Sequence, residues 1–213
     1  MKGVPLNEDI YNYIVNTFAE EDDILKNIVR ETEAKKFPLI QVSPELGKFL
    51  YMLIRIIRSK RVLEIGTLAG YSTVWMARAL PEVGKLTTLE ISREHAEFAK
   101  SNFIKAGLEN KIEVLFGNAV ESLDKLKNER FDFAFIDADK TGYPDYFYKV
   151  IQMMNPGGII TADNTLKKGK VVEENPDEYV RGILEYNRIV SSDNRVESVL
   201  VPISDGLTVS WVK

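Results

Sequence analysis

Arg61-Val62-Leu63-Glu64-Ile65-Gly66-Thr67-Leu68-Ala69-Gly70-Tyr71-Ser72 is the stretch on which the fold turns. Its first five residues are rich in β-branched and apolar side chains and end at a glycine, which reads as a short strand closed by a turn. Residues 71–80 then read as a helix stopped by Pro81. The same alternation repeats downstream. Strands are expected at 85–91, 112–116, 131–136 and 158–162, and helices at 92–106, 119–126, 146–154 and 176–191. Five such repeats build an α/β fold of Rossmann-like type, with helices on both faces of a parallel sheet. Two final strands, 196–201 and 207–212, are joined by the short turn Ser204-Asp205-Gly206 and should pair antiparallel. The expectation is a seven-stranded, mostly parallel sheet whose last strand is antiparallel.

Upstream of Arg61 the periodicity is helical. Ile10, Ile14 and Phe18 share one helical face, Ile24, Ile28 and Val29 mark a second helix, and Ser43-Pro44 reads as an N-cap followed by a first-turn proline. The apolar faces at Ile10, Ile14, Ile24 and Ile28 suit either the sheet or a second subunit. One domain spans 1–213, with residues 1–58 as a helical cap and 59–213 as the sheet core. With 213 residues, 45% of them hydrophobic and 28% charged, the chain has ordinary globular composition. It lacks cysteine, which excludes disulfide frameworks, thiolate metal sites and cysteine nucleophiles. The single histidine, His95, is expected on a helix surface without a role, and Trp75 and Trp211 in the core. A net charge of −4 is not the footprint of a general nucleic-acid binder. Neither Met1-Lys2-Gly3-Val4-Pro5 nor the stretch 49–57 reads as a leader or membrane span, so a cytoplasmic protein without a membrane partner is expected.

In open α/β sheets ligands sit beyond the carboxyl ends of the strands. Here those ends carry Glu64, Gly66, Thr67 and Gly70; then Glu90; then Gly117-Asn118-Ala119; then Asp137-Ala138-Asp139-Lys140; then Asp163-Asn164. Leu68 and Tyr71 stand where a dinucleotide fingerprint needs glycine, and no phosphate-loop lysine follows. The turn therefore suits an uncharged or cationic nucleoside rather than a pyrophosphate. Glu90, ending the second strand, is placed to accept both hydroxyls of a ribose. Asp137, Asp163 and Asn164 offer three hard oxygen ligands from adjacent strand ends, which matches magnesium, with calcium or manganese as alternatives.

Taken with their order and spacing, Val62 to Gly66 with Gly70-Tyr71-Ser72, Phe135 to Lys140, Asp163-Asn164-Thr165-Leu166 and Pro202 to Leu207 resemble the metal-dependent O-methyltransferases related to the caffeoyl-coenzyme A and catechol enzymes. The resemblance runs from about Gln41 to the C-terminus. It implies S-adenosylmethionine as methyl donor, with Glu64, Gly66, Thr67 and Ser72 around the methionine part and Val42 contributing from the cap. It implies Glu90 on the ribose, Ala119 beside the adenine and Asp139 near the amino-acid end. It makes Asp137, Asp163 and Asn164 the metal ligands and Lys140 the base, with Asp137 also in the catalytic set. Relatives of this kind are commonly homodimers. The implied acceptor is a small hydroxylated aromatic with vicinal oxygens.

One segment departs from the plant pattern. Where those enzymes carry Leu-Trp-Asn-Gly, this chain reads Leu166-Lys167-Lys168-Gly169, with Lys170 following. The change argues against a plant-type phenylpropanoid and makes Lys168 a candidate substrate contact for an anion. A bacterial branch of the family methylates 5-hydroxyuridine in tRNA and also has a lysine before that glycine, so tRNA is the alternative acceptor. A nucleoside-binding module without catalysis would predict broken metal ligands, and a nicotinamide oxidoreductase is disfavoured by Leu68 and Tyr71.

Overall fold

The structure, a computed structural model, describes residues 6–213; Met1 to Pro5, in which no leader was read, lie outside the described residues. The helical cap comprises α1 (Glu8–Phe18), α2 (Asp23–Ala34) and α3 (Pro44–Ile56). Asn7 and Asp22 cap the first two by accepting the amides of Ile10 and Leu25. Ser43 holds the N-cap position of α3 by its extended backbone alone, because its hydroxyl donates to Glu45 at 2.6 Å rather than capping the helix. Pro44 fits the first turn because that turn needs no amide donor there.

The core then alternates β1 (Arg61–Ile65), α4 (Tyr71–Ala79), β2 (Lys85–Glu90), α5 (Arg93–Lys105), β3 (Ile112–Phe116), α6 (Ala119–Lys125), β4 (Phe131–Ile136), α7 (Tyr143–Val150), β5 (Met154–Ala162), α8 (Glu178–Ser192), β6 (Val196–Val201) and β7 (Leu207–Val212). The seven strands lie in the order β3-β2-β1-β4-β5-β7-β6, and β7 alone runs opposite to the other six. Successive strand residues face opposite sides, which divides the interior in two. Val62, Leu86, Phe133 and Phe135 pack with α2 to α5 on one face, while Leu63, Leu89, Ala134 and Ile136 pack with α6 to α8 on the other. β1 and β4 are paired at the centre, and the chain leaves them in opposite lateral directions, so a crevice opens between their carboxyl ends.

Three expectations need correction. The helix expected at 146–154 starts at Tyr143, where Pro144 seeds its first turn, and ends at Val150 because a 3-10 turn at Ile151–Met153 leads straight into β5. β5 begins at Met154, with a register shift opposite Phe131 and Phe133 that absorbs Gly157 and Gly158. Trp75 is core at 6% exposure, but Trp211 is 47% exposed, because β7 turns Thr208, Ser210 and Val212 inward and Trp211 outward. In the cap, α2 sends Leu25 and Ile28 into the core, whereas α1 buries no residue fully and leaves Ile10 and Ile14 half-buried. Among the described residues no helix is long and apolar enough to cross a membrane.

Candidate active site

A cleft of about 890 Å³ opens at the crevice between β1 and β4. Its first wall is the turn after β1. Gly66 takes φ +99°, and a side chain there would stand 2.1 Å from the carbonyl oxygen of Asp137, so only glycine lets the β1 and β4 ends approach this closely. Glu90, at the end of β2, pins the turn: its Oε2 accepts the amides of Thr67 (3.2 Å) and Leu68 (2.8 Å), and its Oε1 that of Ser92 (2.8 Å). Those three amides fill three of the four acceptor directions of the carboxylate. The expectation that Glu90 receives both hydroxyls of a ribose therefore narrows to one hydroxyl on Oε1 unless an amide is displaced.

Glu64 stands behind this wall rather than in it. It is wholly buried, and both oxygens are taken by the hydroxyls of Ser72 and Thr73 at 2.5 Å. Burial pushes its carboxyl up to about 7, against the pull of those hydroxyls. Its geometry makes it the anchor that orients Ser72, which does face the cleft together with Val42, Gly66, Thr67 and Ala119. Asn118 caps α6 through the amides of Val120 and Glu121, which fixes Ala119 at the cleft edge.

The second wall comes from β4 and β5. Asp137, Asp139, Lys140 and Asn164 line the cleft, and Asp163 lies just behind at 3% exposure. The Oδ1 atom of Asp163 is buried without a hydrogen-bond partner, and burial together with the charge of Asp137 pushes this carboxyl up to about 7. Asn164 takes φ +58°, a left-handed conformation that asparagine tolerates better than most residues. The Lys140 ammonium donates to Asp137 Oδ1 at 2.8 Å and to the Tyr143 hydroxyl at 2.6 Å. Tyr143 in turn reaches the carbonyls of Ile136 (3.2 Å) and Asp163 (3.0 Å), tying the ends of β4 and β5 to Lys140. Asp139 turns inward on its own loop: it accepts the Tyr146 hydroxyl, the Thr141 hydroxyl and the Gly142 amide.

Lys168, the substrate contact the sequence offers, lines the cleft with Lys167 on a segment, Lys167–Val172, of 3-10 turns broken at Lys168 and Gly169, which the sequence pattern does not announce. The turn before β7 holds them, through Asp205 and the close approach of Gly206 to Leu166. Several cleft residues escaped the sequence reading. His95 is one: its Nδ1 lies 3.7 Å from Glu90 Oε1 and its ring packs edge-on against Phe37 at 4.8 Å. The signal was its place in the first turn of the helix leaving β2, which brings it back over the strand end. Gln41, Tyr146, Tyr179 and Asp205 also line the cleft, and no spacing rule singles them out because they arrive from four separate segments.

Chemically the two walls differ in what they can hold. The glycine turn offers a shaped surface with few free polar groups. The other wall offers the carboxylates of Asp137, Asp139 and Asp163, one oxygen of the last buried without a donor, and the amide oxygen of Asn164. Among the described residues no three His, Cys, Asp or Glu side chains gather as a metal cluster, so any cation there depends on the Asn164 oxygen as well.

The family model described as O-methyltransferase matches residues 15–212. Among similar proteins, the catechol O-methyltransferase of Niastella koreensis is 39% identical over 215 residues, covering 97% of each chain. Caffeoyl-CoA O-methyltransferase 1 of Arabidopsis thaliana is 35% identical over 223 residues, covering 98% of this chain and 86% of that protein. Among solved structures, the O-methyltransferase from Bacillus cereus in complex with SAH superposes with a TM-score of 0.92 at 36% identity, covering 96% of this chain and 97% of that one. The Streptomyces achromogenes O-methyltransferase TomG, in complex with SAM, does so with a TM-score of 0.90 at 31% identity, covering 96% of both. With a family match across nearly its whole length and relatives that cover it end to end, this chain belongs to the O-methyltransferase family.

Proposed function

We propose that this O-methyltransferase moves the methyl group of S-adenosylmethionine onto one hydroxyl of a catechol-like small molecule, assisted by a divalent cation. The observation that carries this reading is the juxtaposition, in one cleft, of a glycine-turn wall and an acid-rich wall, with an orphaned buried acceptor, Asp163 Oδ1, just behind the second. The volume, about 890 Å³, is near the upper end for small-molecule sites and leaves room for a donor beside an acceptor.

On the donor side, Gly66, Thr67 and Ser72 form the surface for the methionine part, with Val42 from the cap and Asp139 at its far end. Ala119 flanks the adenine and Glu90 accepts a ribose hydroxyl. On the acceptor side, Asp137, Asp163 and Asn164 would hold magnesium or a similar hard cation, since the donor set is oxygen only and the buried Asp163 oxygen lacks any other partner. Such a cation, when bound, supplies positive charge that favours ionisation of a hydroxyl beside it. Lys140 acts from its neutral amine form, having first passed a proton to solvent: its Nζ then receives the hydroxyl proton as the oxygen attacks, the new carbon–oxygen bond forming as the sulfonium carbon–sulfur bond breaks. Tyr143 and Asp137 fix where that Nζ stands. Orientation of this kind, rather than covalent chemistry by the protein, supplies the acceleration.

The exposed lysine loop favours one other acceptor, a hydroxylated uridine in tRNA. The test offers labelled S-adenosylmethionine and Mg²⁺ with both a catechol and undermethylated tRNA, beside a chelated control. Label in the catechol that disappears on chelation supports the reading. Label in tRNA alone would transfer the activity to RNA, and label that survives chelation would sink the cation's part.

A further inference from the structure

We propose that the acceptor carries an anionic substituent, a carboxylate or a phosphate, which Lys167 and Lys168 hold at the cleft mouth while its hydroxyl end reaches Asp137. This rests on the catechol-like reading above and narrows it.

The cleft carries buried acids beside the buried Lys140, and two lysines nearer the solvent, with Asp139 as an exposed acid of the same lining. Asp163 and Glu90 are buried at 3% and 7% exposure, whereas Lys168 is exposed and Lys167 half-exposed on the loop beyond β5. The same cleft is lined by two exposed apolar or aromatic side chains, Ile40 at 71% and Tyr179 at 54% exposure. A ligand that uses the buried acids, these apolar side chains and the lysines together has hydroxyls, an apolar body and a negative charge.

The lysines are also held in place. Lys167, Lys168 and Gly169 take φ of +45°, +52° and +80°, and two consecutive non-glycine residues in the left-handed region persist only where neighbours enforce them. Asp205 does so through backbone and side chain: its carbonyl accepts the Leu166 amide and its Oδ1 the Lys168 amide. Gly206 seals the contact, since a side chain there would lie 2.6 Å from Leu166 Cγ. Among the described residues neither Lys167 nor Lys168 has a carboxylate within ion-pair distance, while the next lysine, Lys170, reaches Asp177 at 3.9 Å. A small anion accounts for this better than RNA does. Two lysines beside these apolar side chains and Asp205 offer no track for a phosphate backbone, and the chain's net charge is −4.

The test compares 3-(3,4-dihydroxyphenyl)propanoate with its neutral methyl ester, and both with a catechol whose side chain ends in a phosphate monoester. The saturated spacer keeps the ring hydroxyls equally acidic. Within each protein the ratio of kcat/KM for charged over neutral acceptor is read, which cancels differences in folding. The wild-type ratio is expected at about five- to tenfold, the range of two partly exposed ion pairs, and to shrink with added salt. It should fall to about one in the Lys167→Ala/Lys168→Ala double variant and below one in Lys168→Glu, by the same charge argument. Whichever of carboxylate and phosphate gives the larger ratio identifies the anion. Equal rates on charged and neutral acceptors, or a preference that survives the double variant, overturn this inference while leaving catechol methylation standing. Transfer to tRNA that the double variant loses overturns it in favour of RNA. Failure of the wild-type protein to methylate any catechol overturns the parent reading and this one together.

Discussion

The two walls of the cleft are made of similar residue types and treat them in opposite ways. Around the glycine turn, Glu64 and Glu90 give every oxygen a donor from the chain itself: hydroxyls for one, backbone amides for the other. Across the cleft, Asp163 leaves Oδ1 buried without a donor, near the charge of Asp137. A buried acceptor without a donor costs free energy that folding alone does not return. The acids of the first wall are therefore satisfied by folding, while the second leaves Asp163 Oδ1 open to a ligand. On the proposed reading the difference separates shape, supplied by the glycine-turn wall, from charge, supplied by the wall of Asp137 and Asp163.

The sharpest way to break this comparison is Asp163→Asn, which keeps the shape and removes the charge. Methyl transfer should drop by about a thousandfold, equivalent to about 4 kcal/mol. Melting in the presence of chelator should nonetheless occur at the wild-type temperature or above it, because the like-charge contact with Asp137 is relieved. A variant that melts much lower would show that the acid supports the fold after all. On the opposite wall, Gly66→Ala should cost about 3–4 kcal/mol of stability in denaturant unfolding, since the new carbon would sit 2.1 Å from a backbone oxygen.

Glu64 gives a third test. Its folded carboxyl is raised from about 4.5 to about 7, so the unfolded chain releases the proton first. Its contribution is fully present below about pH 4.5 and is lost as pH rises through about 7, a total of about 3 kcal/mol. Glu64→Gln should remove that slope from a series of unfolding curves across pH 4.5 to 7.5, and an unchanged slope would assign it to other groups. The smallest effect is expected for Tyr143→Phe, which deletes one partner of Lys140 and no charge. We expect roughly a fivefold loss in kcat with KM little changed, of the order of one hydrogen bond, and a displaced pH profile for methyl transfer. A loss confined to KM would contradict the positioning of Lys140 by this hydroxyl.

Much of the fold was legible because the strands of a parallel sheet are short apolar runs closed by glycine or acid, and each helix has a stop that can be read. The boundaries that slipped lie where local signals compete. Pro144 began α7 earlier than the apolar pattern suggested, and β5 reached back through two glycines that look like a loop. In the site, Gly66, Asp137, Lys140 and Asn164 are visible because each lies within four residues of a strand's carboxyl end. For Glu64, alternation along β1 places it on the Val62 side but does not show that Ser72 and Thr73 take both its oxygens.

The sequence by itself determined the order of the strands' chemistry: periodicity tells which segments pair with a sheet, and chain direction tells which residues stand at its carboxyl edge. Only the tertiary structure decided which of those residues are satisfied and which are left open. That depends on contacts between segments far apart in the chain, such as Glu90 with the Thr67 amide, Tyr143 with the Asp163 carbonyl and Asp205 with the lysine loop. Hydrogen-bond satisfaction is a property of three-dimensional neighbours, and no local pattern encodes it.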